Sequence, residues 1–181
     1  IGKIKLVDVN DDKVINTNDR AILGTSMPKW TGSWSNTFSY KGFDLTMFLY
    51  TRQGATVSSG AYTQASLRGR TECLDVNYWA AADPNRSNAI YPRPSADFEN
   101  PEYLNTLGIV DASFVKLRNL TLAYTIPEGI VSKTQLQNLR IYVSGQNLIT
   151  WTKFKGLDPE GNTGNDTPST KMVSIGVNAT F

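Results

Sequence analysis

The chain contains no histidine and one cysteine, Cys73, among its 181 residues. Without histidine the commonest general base and metal ligand is missing, so hydrolase triads and zinc chemistry would need unusual substitutes. A lone thiol can form no internal disulfide, and no second thiol stands near it to share a metal. Runs of about 18 apolar residues are absent as well, which excludes a helical membrane span. Charge of one sign is scarce: 18 Lys and Arg oppose 16 Asp and Glu, and a net +2 with no basic stripe is too small to argue for nucleic acid, so no nucleic-acid partner is expected. A glycosidase would need two convergent carboxylates. The candidates Asp97, Glu99 and Glu102 fall within one loop-like stretch. The sequence opens on Ile1 and shows no charged-then-apolar leader, from which a piece of a longer precursor is expected.

What the sequence has instead is alternation. In Lys171 to Phe181 the residues Val173, Ile175, Val177, Ala179 and Phe181 are apolar, and Ser174, Gly176, Asn178 and Thr180 between them are small or polar. This is the period of a strand with one apolar and one wet face. About 9 to 11 such residues make one strand of a transmembrane barrel, and Phe181 falls in phase for its aromatic girdle. The same pattern runs from Trp30 to Tyr40, turns at Lys41-Gly42, and returns from Phe43 to about Gln53. It recurs in Ala112 to Thr125, where the phase breaks and a one-residue bulge near Arg118-Asn119 would restore a single apolar face. Leu139 to Trp151 completes the set.

The reading is all-β, with antiparallel transmembrane strands at about 30-40, 43-53, 112-125, 139-151 and 171-181. Trp34, Phe38, Leu45, Met47, Ile141, Val143, Ile175 and Val177 are expected to face lipid. Ser35, Thr37, Thr46, Tyr142, Ser144 and Ser174 are expected to face a lumen. Long connections at 54-111 and 152-170 and short ones at Lys41-Gly42 and 126-138 place the long loops outside the cell, because barrels keep short turns on the periplasmic side. A soluble, secreted calcium-binding β-sandwich, such as a glycan-binding module, is the alternative that the same alternation allows.

Two loops carry candidate sites. Residues 1-29, expected to be an extracellular loop, contain D-V-N-D-D-K-V-I-N-T-N-D, with oxygens from Asp8, Asn10, Asp12, the Val14 carbonyl, Asn16 and Asp19. These are positions 1, 3, 5, 7, 9 and 12 of a calcium loop, in which a hard cation takes oxygen ligands from a chain folded back on itself. Lys13 stands where that loop's sharp turn calls for glycine, and Asp19 is shorter than the usual glutamate. Asp and Asn also serve as plain turn formers. The stretch 54-112 holds Tyr78, Trp79, Tyr91 and Arg93, flat side chains beside rigid turns that would stack on sugar rings, dock a partner, or pack the loop on its own barrel.

The motifs K-L-V-D-V-N-D-D, Y-K-G-F-D-L at 40 to 45, D-A-S-F-V-K-L-R-N-L-T-L-A-Y at 111 to 124, S-G-Q-N-L-I-T at 144 to 150, K-G-L-D-P-E at 155 to 160 and the final Phe occur in order. Together they resemble the C-terminal end of SusC/RagA-type TonB-dependent transporters of the Bacteroidota outer membrane. The resemblance spans essentially the whole chain. It implies the last five strands of a 22-stranded barrel with a plug, and no enzymatic activity. It further implies a SusD-like lipoprotein partner, TonB acting through a part not present here, contact with outer-membrane lipid, and import of oligosaccharides or peptides. Phe181 would then belong to the signal read by the barrel-insertion machinery.

Overall fold

The computed structural model describes residues 2, 5–59, 77–84, 86–93, 106–131, 136–161 and 169–181. Cys73, Asp97, Glu99 and Glu102 lie outside the described residues. The strands, in chain order, are β1 (Trp30–Tyr40), β2 (Phe43–Gln53), β3 (Thr56–Ser58), β4 (Ile109–Asp111), β5 (Phe114–Thr125), β6 (Asn138–Thr152) and β7 (Met172–Thr180), with a short helix α1 (Glu128–Val131) before β6. They belong to two compact units. One comprises 28–54, 113–153 and 168–181; the other comprises 1–27, 55–112 and 154–167.

The strand unit is a single antiparallel sheet of five strands in the order β1-β2-β5-β6-β7. Its first hairpin closes through Lys41 and Gly42 with φ of 48° and 86°. Positive φ at both positions matches the right-handed twist of the flanking strands, which makes two residues sufficient. The expected bulge is present: Phe48 lies opposite Asn119 and Leu49 opposite Leu117, so Arg118 is the extra residue. On the β6 side Asn147 and Leu148 fall between Gln146 and Ile149, and Asn147 takes φ 51°. The slip is what brings Val115 and Leu117 onto the same face as Leu120 and Leu122.

Across the strands this register lines residues up in rows. One apolar row reads Phe38, Leu45, Leu122, Val143, Ile175, and the next reads Tyr40, Phe43, Tyr124, Ile141, Val177. On the opposite face Thr37, Thr46, Thr121, Ser144 and Ser174 form a row of hydroxyls. The apolar face is left uncovered. Phe38 is 54 % exposed, Trp30 56 %, Val177 60 % and Ile175 79 %. A soluble sheet buries that face, and large contiguous apolar surfaces left open mark a lipid or partner boundary.

The second unit has its own small core. β3 and β4 pair as a short antiparallel ladder, and Val57, Ala112 and Phe154 pack together with Tyr91 and Val110 against them. The Thr25 carbonyl accepts from the Thr56 amide (2.8 Å) and hydroxyl (3.0 Å), fixing the segment before β1 to this ladder. Three expectations are corrected here. The third long strand starts at Phe114 rather than Ala112, because the Ala112 amide donates to Ala55 instead (2.9 Å). The stretch 54–112 contains β3 and β4, each only three residues long and too short to display a period. The stretch 152–170, expected only as a long connection, also contributes Phe154 to the core.

Candidate functional site

The polar face of the five-stranded sheet carries three distinct arrangements. At its centre the hydroxyls pair, Thr37 with Thr46 (3.0 Å) and Thr121 with Ser144 (2.8 Å), with Thr121 also donating to Asn119 (2.9 Å). Small polar groups satisfying one another leave a smooth hydrophilic wall. Toward the Lys41-Gly42 end, Asp44 accepts from Ser39 (2.6 Å) and pairs with Arg140 at 3.0 Å. These two charges lie on β2 and β6, so the pair spans β5. On β5 the pair crosses between Ala123, which is opposite Asp44, and Thr125, which is opposite Arg140. In the next register Tyr142 lies over Gly176, where a Cβ would collide with its ring.

Toward the other end the wall becomes basic and aromatic. Ser33, Tyr50, Lys116 and Thr150 form one row, and Thr31, Arg52, Phe114 and Thr152 the next. Arg52 and Lys116 each lie 5.4 Å from the centre of the Phe114 ring. Arg118, the bulge residue, stacks 4.3 Å from the Tyr50 centre, and the two rings are 5.9 Å apart. Lys116 is 1 % exposed and donates to the Ser169 hydroxyl (3.1 Å). The near-neutral total charge conceals a segregation. The strand unit holds nine Lys and Arg against two Asp and Glu, a net +7, and the rest of the chain holds nine against fourteen, a net −5.

The Asp8–Asp19 loop closes on its own backbone. Asp8 accepts from the amides of Asp11 and Lys13 (both 2.7 Å), Asn10 from Asp12 (3.1 Å), Asp12 from Val14 (2.8 Å), and Asn16 from Asn18 (2.7 Å). Asp19 receives the amides of Val9 and Asn16, both at 2.8 Å, and with Asn16 forms a reciprocal cap on a single 3-10 turn. The Asn16 amide, followed by that of Val9, holds the Asp19 carboxyl below the usual carboxylate range. The turn expected to require glycine is made by lysine: Lys13 has φ 68° and Asp11 φ 62°. A left-handed residue of this kind costs about 1–2 kcal/mol, which the paired amides on Asp8 offset. Among the described residues no three His, Cys, Asp or Glu side chains form a group able to hold a metal ion. A cation here would depend on the amide oxygens of Asn10 and Asn16 and on the Val14 carbonyl, which already accepts from the Asn16 side chain (3.2 Å).

The four loop residues of the aromatic candidate do come together. Tyr78 and Tyr91 form an isolated bridge, the Trp79 amide donates to the Tyr91 carbonyl (2.9 Å), and the Arg93 amide donates to Gly2 (2.8 Å). Gly2, at φ 81°, lies against the Trp79 ring and the Arg93 stem, so half of this cluster is packing rather than open surface. Tyr78 remains 48 % exposed. Phe181 stands just past β7 with its side chain exposed. The basic-aromatic cluster was not singled out from the sequence. Its signal was Tyr50, Arg52, Lys116 and Arg118 on the wet side of two strands, and only the bulge at Arg118 gathers them.

No family model matches the chain. It is 33% identical over 171 residues to TonB-dependent receptor P3 of Formosa agariphila, covering 94% of this chain and 16% of that receptor. Receptor P26 of the same organism is 27% identical over 202 residues, covering 100% of this chain and 20% of its own length. The structure of the RagAB peptide transporter superposes with a TM-score of 0.71 at 27% identity, over 88% of this chain and 18% of that one. In its open-open state the RagAB peptide importer gives a TM-score of 0.70 over 97% of this chain. The chain thus spans about a fifth or less of the length of the proteins it matches. Those proteins are receptors and transporters, not enzymes. An antiparallel sheet with one exposed apolar face and a polar face carrying small hydroxyls, joined to these likenesses along nearly its entire length, identifies the chain as a segment of a SusC/RagA-type TonB-dependent receptor.

Proposed function

We propose that this chain forms five adjacent transmembrane strands and three extracellular loops, 1-29, 54-111 and 152-170, of an outer-membrane importer of Bacteroidota type. The barrel has about 22 strands and a plug. It works with a SusD-like surface lipoprotein and takes energy from TonB through residues outside this chain. The observation that carries the reading is the uncovered apolar face, bounded by aromatic side chains at both ends. Tyr40, Phe43 and Tyr124 stand at one end, and Trp30, Trp34 and Trp151 toward the other. Trp30 and Tyr40 lie at the two ends of β1. The ten steps between them, at about 3.4 Å each, give about 34 Å along the strand, which projects to about 26 Å at a tilt of about 40°. The apolar band of an outer-membrane barrel is about 25 Å tall.

Among the described residues β1 and β7 each pair with a strand on one side only, which supports the same reading, since unpaired backbone groups cannot face lipid and the neighbouring strands of a closed barrel would satisfy them. The cargo is an oligosaccharide or a peptide, and the RagAB neighbours, which are peptide transporters, favour peptide. Tyr78, Trp79, Tyr91 and Arg93 are assigned to the cargo or lipoprotein side. Phe181, in phase with Val177 and Ala179, is assigned to barrel assembly. The test is fractionation of the full-length receptor. We expect it in the outer membrane, extractable only with detergent and copurifying with one lipoprotein, and its deletion should abolish uptake of one class of oligomer. Recovery as a soluble monomer would refute the proposal.

Calcium at Asp8, Asn10, Asp12, Val14, Asn16 and Asp19 is a second, separate assignment, favoured by the left-handed turn at Lys13 where a calcium loop turns. Carboxylate oxygens that accept one amide keep lone pairs for a cation, and Lys13 beside the site would make affinity modest. Calcium titration followed by amide exchange of Asp11 and Lys13 tests it. Exchange that is unchanged at millimolar calcium would exclude the metal.

A further inference from the structure

We infer that the Asn36 carboxamide is hydrogen-bonded to a neutral polar side chain on the strand that precedes β1 in the closed barrel, and that this pair fixes the register of that seam. This deepens the importer reading and rests on it. The lipid face of β1 reads Trp30, Gly32, Trp34, Asn36, Phe38 and Tyr40, so one amide stands among aromatic rings. Its row continues through Met47, Leu120, Gly145 and Val173, midway between the aromatic ends. At that height a bilayer holds only acyl chains, and a carboxamide without a partner there is costly.

Among the described residues no hydrogen bond reaches the Asn36 side chain. Thr51 and Gln53, polar residues of the same face on β2, are by contrast bonded. The Thr51 hydroxyl donates to the Phe114 carbonyl (2.8 Å), and the Gln53 amide donates to Thr51 (2.8 Å) and to that carbonyl (3.1 Å). What surrounds Asn36 fixes the direction from which a partner comes. Trp34 and Phe38 flank it along the strand, and Met47, opposite it on β2, offers only a thioether, a weak acceptor. Asn36 is half-buried where Trp34 and Phe38 are exposed, so it lies low between two larger side chains that a second protein in the membrane would meet first. The open side is the edge of β1 that no described strand pairs. A cross-strand neighbour there stands with its Cβ about 4.5–5.5 Å away, within reach of a short side chain. A partner that both donates and accepts, and brings no charge into the bilayer, is Asn, Gln, Ser or Thr.

Register is what such a pair decides. A slip of one residue turns the two faces of β1 over, and the alternation alone forbids it. A slip of two keeps every aromatic ring on the lipid side, so alternation does not forbid it. Asn36 does. Its partner would move to a diagonal position about 7–8 Å away, leaving two hydrogen-bonding groups in hydrocarbon. A single polar residue in an apolar seam fixes the register of coiled coils in the same way.

The first test needs no variant: a structure of the full-length receptor in lipid nanodiscs. We expect a side-chain nitrogen or oxygen of the strand preceding β1 within about 3.2 Å of the Asn36 carboxamide. Only lipid, backbone or apolar side chains within about 3.5 Å, or a polar contact supplied by a second copy, would overturn the assignment. The second test reads register in a Cys73→Ser background, with Ser35→Cys on the polar face as reporter. It is paired with a cysteine on the preceding strand, placed either at its native neighbour or two residues to either side, and oxidised in the membrane. Asn36→Leu should raise the slipped disulfides relative to the native one by at least about fivefold. Leucine at both Asn36 and its partner should restore the amount of folded barrel and leave the register mixed. A single register in that double variant would overturn the role assigned to the pair, even where the contact exists. The importer reading fails by a different observation, absence of the receptor from the outer membrane.

Discussion

Replacing Leu120 separates a lipid-facing sheet from one that packs inside a protein, and it does so by the sign of the effect. Leu120 sits on the central strand β5, in register with Met47 on one side and Gly145 on the other, in the row midway between the two aromatic ends. If that face touches lipid, Leu120→Trp adds apolar surface with nothing to displace but acyl chains. At about 25 cal/mol per Å², some tens of Å² of extra ring contact make the change neutral or stabilising by about 1 kcal/mol. Inside a packed core the same change overfills the site and costs about 1–3 kcal/mol. Leu120→Arg provides the calibration, because a guanidinium at the middle of the bilayer costs about 2–4 kcal/mol. Thr121→Arg, one residue on, points to the other face and should cost only the hydroxyl bonds to Asn119 and Ser144, about 1 kcal/mol. The assay is reversible urea unfolding of the full-length receptor in lipid vesicles, read by tryptophan fluorescence, together with the amount of folded barrel in the outer membrane. Destabilisation by Leu120→Trp of 1 kcal/mol or more, or equal effects of arginine at 120 and 121, would refute the assignment of faces.

Three further outcomes follow from individual contacts. Asp44→Asn should weaken the tie across β5 by about 0.5–1.5 kcal/mol, discounted because Arg140 is 39% exposed, with little further loss when Arg140→Gln is added; additive losses in a double-mutant cycle would deny the coupling. Gly176→Ala should destabilise by about 1–3 kcal/mol through collision with Tyr142, and Tyr142→Ala should relieve part of that cost; no rescue would mean that the ring does not rest there. The Asp19 carboxyl, held below its ordinary range, contributes order that is fully present above that range and is lost as pH falls through the lowered value. Amide exchange at Val9 and Asn16 should therefore quicken on acidification beyond the chemical trend in the wild type but not in Asp19→Asn.

The strands were legible because every long strand is two-faced, and a period of two survives in any window of eight residues. Even the break in β5 was legible. A change of apolar phase between Leu117 and Leu120 has one economical cause, an inserted residue, and Arg118 is that residue. The second unit was not legible, and the reason is length. β3 and β4 contribute three residues each, and their core draws Val57, Ala112, Phe154, Tyr91 and Val110 from four separate stretches of chain. Contacts assembled at that separation leave no local pattern. The Lys13 turn failed for another reason. Residue preference forbade a left-handed lysine, and the two amides converging on Asp8 outweigh that preference.

Which residues share a face is a one-dimensional property, whereas which residues touch across strands depends on register. Tyr50, Arg52, Lys116 and Arg118 each read singly as polar-face residues with long side chains, and nothing in their spacing along the chain sets them apart from Tyr142 or Arg140. Register places Lys116 beside Tyr50 and Arg52 beside Phe114. The bulge then delivers a third cation to a face that strict alternation would have denied it, since Arg118 shares parity with Leu120 and Leu122. With the bulge removed, either Arg118 turns toward the apolar side or the leucines beyond it turn toward the polar side. The irregularity that keeps the apolar face continuous is therefore the same one that concentrates positive charge on the polar face. A deletion of Arg118 that restored regular pairing would disturb both faces at once.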